Sequence, residues 1–591
     1  MSKIKLSDYI AKRLKEKYGV EKVFLVSGGG AMHLNNSFGK FLPYIVNHHE
    51  QASSFAAEGY SRLKQELSVV NVTTGPGGLN CLNGVFGQWT DSVPVLYISG
   101  QVKYSTMMES CPDIPLRQLG DQEADIISVV KPITKYAVTI LEPNKIKYEL
   151  DRAIYEALTG RFGPVWLNIP MNVQSAVIEE DELADFIPPK QSKTYDLKIE
   201  EVINKLKTAK RPLIVAGHGI RLSNTIKEFT DFIEKTGIPV VSTLNGLDIL
   251  ETENPHHIGR TGTIGQRAGN FALQNADVLL ELGTRNNIRQ VSYNWENFGK
   301  NAFKIIVDID KAELQKPLVR PDLAIQCDLK DFMPALNKKT DEIKAPQTWV
   351  QYCQKIKEKY SFYNTKEYRQ EGKELNPYYV VRKITEQISK DDIIVSANAT
   401  PLICMFQAGV LKGQRVIMNS GSASMGYGLP CAIGTSAREG KRTICFEGDG
   451  SIMMNLQELE TVAFNKLPIK IFLFNNNGYS SIRQTQKNFF NGEMTGSGEE
   501  SGLGMPDFCR LAEGFRLKNI RISNSDELEE KIKEVLQDDE PVLFEIMIQK
   551  DYIFTPKLSS KTMPDGTIIS PSLENMYPFL SEEEMRENIL Y

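Results

Sequence analysis

The sequence holds no apolar run near the roughly 18 residues that a membrane helix needs. Its N-terminal stretch, MSKIKLSDYIAKRLKEKYGV, lacks the apolar centre of a signal peptide. A cytoplasmic protein is therefore expected. Cysteine is sparse and scattered: eight residues, none in a Cys-x-x-Cys pair, which argues against a zinc site and a disulfide framework. There is no excess of basic residues either. A formal charge of −5 gives no reason to expect nucleic acid or an anionic membrane as partner. Histidine is scarce, with six residues and none beyond His257.

What is present is a globular composition, 41% hydrophobic and 24% charged, in 591 residues. That length exceeds one core. Three regions alternate strand-like apolar runs with helical patterns, which predicts α/β layers with parallel sheets. The first contains KVFLV (22–26), SVVNVTTGPGG (68–78), PVLYISGQ (94–101) and PVWLNIP (164–170). The second contains RPLIVAGHGI (211–220), PVVSTLNG (239–246), ADVLLELGTR (276–285) and FKIIVDID (303–310). The third contains DDIIVSANA (391–399), RTICFEGDGS (442–451) and IKIFLFNNNGY (469–479). The expected organisation is three doubly wound domains, 1–180, 190–340 and 376–556, with a tail over 557–591. An acidic, Pro-containing linker over 174–199 and a polar connector over 337–375 separate the domains. The tail reads as irregular, a lid or an interface arm.

Chemistry concentrates in the third region. Gly448-Asp449-Gly450 ends one apolar strand and Asn475-Asn476-Asn477-Gly478 ends the next, with a helical pattern between. Both polar groups thus fall at carboxyl ends of parallel strands, where α/β sheets bind ligands. Free N–H groups at the start of the intervening helix favour a phosphate. Carboxylate, amide and carbonyl oxygens are hard donors suited to Mg²⁺ bridging a diphosphate.

The segment from Gly448 to Gly478 resembles the signature of thiamine diphosphate enzymes. The resemblance implies thiamine diphosphate and Mg²⁺ as cofactors, with Asp449, Asn476 and the Gly478 carbonyl as metal ligands. Gly448, Gly450, Ser451 and Tyr479 belong with them around the diphosphate. VNHHEQASSFAAEGYSR (46–62) is similar to the segment carrying that family's activating carboxylate, here Glu50. Its role is to drive the aminopyrimidine to its imino form, so that the cofactor's own imine takes the C2 proton. The small residues from Ala52 to Gly59 are expected to pack closely against a strand or a partner subunit. SGSASMGYGLPCAIG (420–434) resembles the segment that bends the cofactor, with Met425 beneath the thiazolium and the Ala423 carbonyl and Met425 N–H on the pyrimidine edge. The three domains would then be pyrimidine-binding, central and diphosphate-binding.

The first region resembles acetolactate synthase, through TTGPGGLNCLNGVFGQWTDSVPVLYISGQV (73–102), QEAD (122–125) and GPVWLNIPMNVQ (163–174). This implies decarboxylation of a 2-keto acid such as pyruvate and transfer of the acyl carbanion to a carbonyl acceptor. Gly29 would donate an N–H to a substrate oxygen, and Gln122 and Lys135 would approach the acceptor or the keto-acid carboxylate. The resemblance also implies a homodimer or homotetramer, with Glu50 of one chain facing Asp449 of another. The sequence departs from the family at Asp121, at Ser27-Gly28-Gly29-Gly30 and over GYSSIRQTQKNFF (478–490), all positions of the acceptor side. The tail and SIRQTQKNFF resemble acetolactate synthase-like proteins of bacterial surface-polysaccharide loci, which makes a nucleotide-linked keto sugar the alternative acceptor. Asp121, Ser481, Arg483, Gln484 and Gln486 are its expected polar partners. Simple decarboxylation is a further alternative, and a non-catalytic binding subunit the most distant. The middle region resembles the flavin-binding domain of acetolactate synthase, with Gly217, Thr243, Leu244, Arg285, Arg289 and Asp308 placed where that family holds FAD. A middle domain that is empty or binds another nucleotide is the alternative, because Thr261, Asn286 and Asn287 replace family residues.

Overall fold

A computed structural model describes residues 3–189, 195–563 and 565–591. The expected domain bounds at 1 and 190 lie outside the described residues. The chain is α/β throughout, with three six-stranded parallel sheets. The first holds β1 (Val23–Leu25), β2 (Tyr44–Val46), β3 (Ser68–Val72), β4 (Val95–Gln101), β5 (Tyr136–Thr139) and β6 (Val165–Pro170), in the order β2-β1-β3-β4-β6-β5. The second holds β7 (Pro212–Ala216), β8 (Val240–Ser242), β9 (His257–Arg260), β10 (Val278–Leu282), β11 (Phe303–Asp308) and β12 (Leu323–Gln326), in the order β9-β8-β7-β10-β11-β12. The third holds β13 (Ile393–Ser396), β14 (Arg415–Met418), β15 (Thr443–Gly448), β16 (Ile469–Asn475), β17 (Lys518–Ile522) and β18 (Val542–Met547), in the order β14-β13-β15-β16-β18-β17. The first and third sheets therefore share one winding. The second has the strand order of dinucleotide-binding domains.

Alternate residues of the central strands feed cores on opposite faces, as buried parallel strands require. Val70, Val72, Val95 and Tyr97 enter one core, and Val69, Leu96 and Ile98 another. The first core does not stop at the domain edge. It runs through Phe55 and Ala56 into Tyr427, Cys431, Cys445 and Ile471 of the third domain.

Five helices position the site: α1 (Glu50–Lys64), α2 (Ile146–Leu158), α3 (Gly428–Glu439), α4 (Asp449–Ile452) and α5 (Ser480–Phe489). Helices α1 and α3 cross at glycines. A Cβ on Gly434 would lie 1.8 Å from the Ala56 carbonyl, and one on Gly59 would lie 2.3 Å from that of Cys431. The small-residue run of α1 thus packs on a helix of the same chain's third domain.

Three local expectations change. The pattern between Gly450 and Leu467 predicts one helix, but α4 is short and the chain resumes as a helix only at Glu458–Phe464. The break frees Asn455, whose side chain bonds Gln51 (2.9 Å) and the Gly426 carbonyl (2.8 Å). The polar connector contains a helix, Gln347–Lys359, that buries Trp349, Cys353 and Ile356 on the middle domain. The tail, apart from a short hairpin and a last helix, Glu582–Asn588, is irregular but firmly seated. Leu573 joins the middle-domain core, and Asn270 and Asn275 bond the carbonyls of Leu573 and Asn588. No helix among the described residues is long and apolar enough to cross a membrane.

Candidate functional site

The cradle at the carboxyl ends of β15 and β16 is built from backbone. Asp449 is buried, and its Oδ2 accepts the amides of Asn476 (3.1 Å) and Gly478 (2.9 Å) while Oδ1 accepts that of Gly450 (2.8 Å). Burial lifts its carboxyl to about 6, against the pull of those three amides. Among the described residues no cation forms an ion pair with it, although the Arg483 guanidinium is close enough to help. Gly478 has φ +127°, and a Cβ there would lie 2.5 Å from the Ser497 carbonyl, so the turn needs glycine. The Tyr479 ring lies against Gly450. A buried acid beside an amide oxygen and a carbonyl oxygen suits a hard divalent cation. One donor is shared: Arg483 Nη2 lies 3.3 Å from Asn476 Oδ1.

The pyrimidine-edge segment adjoins this cradle. The Gly426 amide donates to Ser451 Oγ (2.9 Å), and Asn398 donates to the Ser424 carbonyl (2.6 Å). Ala423 sits in the left-handed region at φ +51°, turning the chain toward half-buried Met425.

Three of the first domain's expected residues gather around the turn after β3. Glu50 opens α1, with His49 capping the helix by accepting the Gln51 amide (3.1 Å). The Glu50 carboxylate is buried and accepts from Asn80 Nδ2 (2.9 Å). Gln122, itself at φ +60°, presents its carbonyl to Gly75, and Gly77 neighbours Glu50 Oε1. Gly28 and Gly30 pack on Thr73 and Thr74, leaving open space at Gly29. Lys135 does not join them. Its ammonium caps the end of α2 through the Glu156 and Thr159 carbonyls, and burial lowers it to about 8. The helix end supplies acceptors that an ammonium satisfies, and here Lys135 braces it.

The two halves meet within one chain. Asn83, one turn beyond the Glu50 partner Asn80, bonds Ser424 Oγ (2.7 Å). Gln51, next to Glu50, is tied through Asn455 to Gly426. Glu458 accepts Asn47 Nδ2 and the His48 amide, each at 2.8 Å. Sequence reasoning missed these asparagines. Their signal was faint: polar residues three apart, Asn80 and Asn83, in an otherwise small and apolar stretch.

A second cleft lies where the middle domain meets the other two. Thr243, Leu244, Arg285, Arg289 and Asp308 line it, joined by Asp91 and Arg161 of the first domain. Gly217 is not in the lining; it packs against the Gly283 carbonyl and brings β7 and β10 together. Burial raises the Asp308 carboxyl to about 7. An acid at the end of this strand, in this sheet order, suits a ribose hydroxyl.

The comparisons agree across the chain's length. It matches "Thiamine pyrophosphate enzyme, N-terminal TPP binding domain" over residues 4–126, the corresponding central domain over 199–336 and the C-terminal TPP binding domain over 403–546. An acetolactate synthase large subunit of Lactococcus lactis is 33% identical, over 96% of this chain and 98% of its own length. The large subunit of acetolactate synthase isozyme 2 from Escherichia coli is 29% identical, over 90% and 93%. A probable acetolactate synthase large subunit of Methanocaldococcus jannaschii is 32% identical, over 90% of each.

Proposed function

This chain belongs to the thiamine pyrophosphate enzyme family, and from that premise we propose that it decarboxylates pyruvate and passes the acetyl unit to a carbonyl acceptor. The observation carrying this reading is the seam that ties Gln51, next to Glu50, and Asn83 to the Ser424–Gly426 segment, which itself adjoins the Asp449 cradle. Thiamine diphosphate, when bound, supplies the nucleophilic carbon and the electron sink that decarboxylation needs. Asp449, Asn476 and the Gly478 carbonyl hold Mg²⁺ in this reading, and Gly448, Gly450, Ser451 and Tyr479 surround the diphosphate. Met425 supports the bent cofactor, with the Ala423 carbonyl and Met425 N–H on the pyrimidine edge. Glu50 holds a proton at the pyrimidine N1′, and the Asn80 amide orients its carboxylate. Gly29 and Gln122 orient the donor's oxygens by hydrogen bonds.

We infer further that the middle cleft takes FAD, supported by its sheet order and by the buried Asp308 with Arg285 and Arg289. The protein works as a homo-oligomer in the cytoplasm. The acceptor is a second keto acid or, on the alternative reading, a nucleotide-linked keto sugar in polysaccharide biosynthesis. The test is mass analysis of products from ¹³C-pyruvate, alone and with each acceptor class. Labelled two-carbon addition to the acceptor is expected. Release of carbon dioxide and acetaldehyde alone would return the chain to a simple decarboxylase, and failure of the holoenzyme to consume pyruvate would end the proposal.

A further inference from the structure

A third cleft opens between α5 and the C-terminal tail. On the helix side it is lined by Ser480, Arg483, Gln484, Lys487 and Asn488. Steps of three and four put these residues on one helix face. A helix face turned toward a neighbouring segment ordinarily carries apolar side chains, but this one is polar from end to end. Lys557, Ser559, Ser560 and Tyr577 face it from the tail, where Lys557 and Tyr577 pair through their backbones at 2.8 and 3.0 Å.

The cations here differ in their commitments. Arg483 is spent on structure, its guanidinium bonding the carbonyls of Asn476, Ser497 and Lys550. Gln486, expected from sequence to meet the acceptor, bonds the Thr495 carbonyl and the Ser497 hydroxyl instead. Lys557 is half-buried, and burial holds its ammonium below the usual amine range. Its hydrogen-bond partner is the neutral Gln484 Oε1 (2.5 Å), and no described carboxylate forms an ion pair with it. Lys487 pairs with Asp551 at 3.1 Å, but both are about half exposed, so that pair is weak and exchangeable. A positive charge with no counter-charge is costly to bury and is relieved by an incoming anion. At the floor, Ser480 Oγ lies 3.4 Å from Asn476 Nδ2, next to the Asp449 cradle. At the mouth, the rings of Phe489 and Tyr577 are 48% and 38% exposed.

We propose that this cleft binds the acceptor substrate by a phosphate or diphosphate group held between Lys557 and Lys487. Ser559, Ser560 and Asn488 then serve the hydroxyls of the acceptor, and the exposed rings provide a face for a flat base. A small keto acid can offer one carboxylate to these lysines but leaves the rest of the polar lining without partners. The identity of the occupant as acceptor rests on the function proposed above, but the binding itself is measured separately.

The experiment is calorimetry on holoenzyme saturated with thiamine diphosphate, Mg²⁺ and FAD, titrated with inorganic pyrophosphate and with uridine diphosphate. Both probes bind, and uridine diphosphate binds more tightly. Lys557→Gln and Lys487→Gln each weaken both probes about ten- to a hundred-fold, the loss expected for a charged hydrogen bond, while thermal midpoint and cofactor affinity stay unchanged. Tyr577→Ala removes the advantage of uridine diphosphate over pyrophosphate. Absence of binding, or equal affinity in both lysine variants, overturns the proposal. If the lysine variants lose probe binding in an enzyme that does not turn over pyruvate, the cleft stands and the acetyl-transfer reading falls.

Discussion

At Asp449, three backbone amides and deep burial pull against each other, and the charge that results is left for a metal to neutralise. Asp449→Ala is therefore expected to abolish Mg²⁺-dependent binding of thiamine diphosphate, read by calorimetry; unchanged affinity would disprove the metal assignment. Glu50 asks for a different readout. Glu50→Gln keeps the shape and the Asn80 contact, so cofactor binding should persist. Exchange of the cofactor's C2 proton should slow by about 10²–10⁴, the usual worth of a positioned general base. Near-normal exchange would remove Glu50 from that role. Both residues stand out in the sequence because each sits in a long, specific segment. Lys135 is the opposite case. A single lysine carries no local pattern, and only the fold reveals the helix end that it caps.

Between α1 and α3, one guanidinium serves two buried acids. Arg62 bonds Glu58 Oε1 at 2.9 Å and Asp91 Oδ2 at 2.7 Å, and the Tyr427 hydroxyl approaches Glu58 at 3.2 Å. Asp91, also near Arg285, is held below its ordinary value, whereas burial raises Glu58 from 4.5 to about 7. The folded protein thus keeps a proton on Glu58 that the unfolded chain releases, and stability from this group is present at low pH and lost as pH rises from about 4.5 through about 7. The Glu58→Gln variant should lack this slope. Unfolding free energies of wild type and variant measured from pH 5 to 8 should diverge by an amount on the order of 1–3 kcal/mol; parallel curves would mean Glu58 is already ionised at pH 5. At this scale the sequence was an uneven guide. Central strands such as β3, β4, β15 and β16 were plain as apolar runs. Short edge strands such as β2 and β12, with some residues exposed, carried too little pattern. The break before Glu458 was invisible, because it depends on contacts that Asn455 makes across the domain seam.

Across the whole molecule, the first and third sheets share one winding and the chain lays one against the other. Several large apolar side chains still face outward near that junction: Met453 and Met454 beside α4, and Phe86 and Trp89 in the first domain. Exposed apolar groups at such density mark association surfaces. We expect at least a homodimer in sedimentation, and a fully active monomer would contradict this. The tail's fit shows a further consequence, in the order of folding. Asn270 and Asn275 wait for partners roughly three hundred residues downstream, at Leu573 and Asn588, and Leu573 completes a core begun by Phe271. Contacts this distant in sequence form late and at high entropic cost. A chain still on the ribosome can close the core on one face of its first sheet, while the other face waits for the third domain and the middle domain waits for the tail. That delay leaves the middle domain open to chaperones and proteases during synthesis.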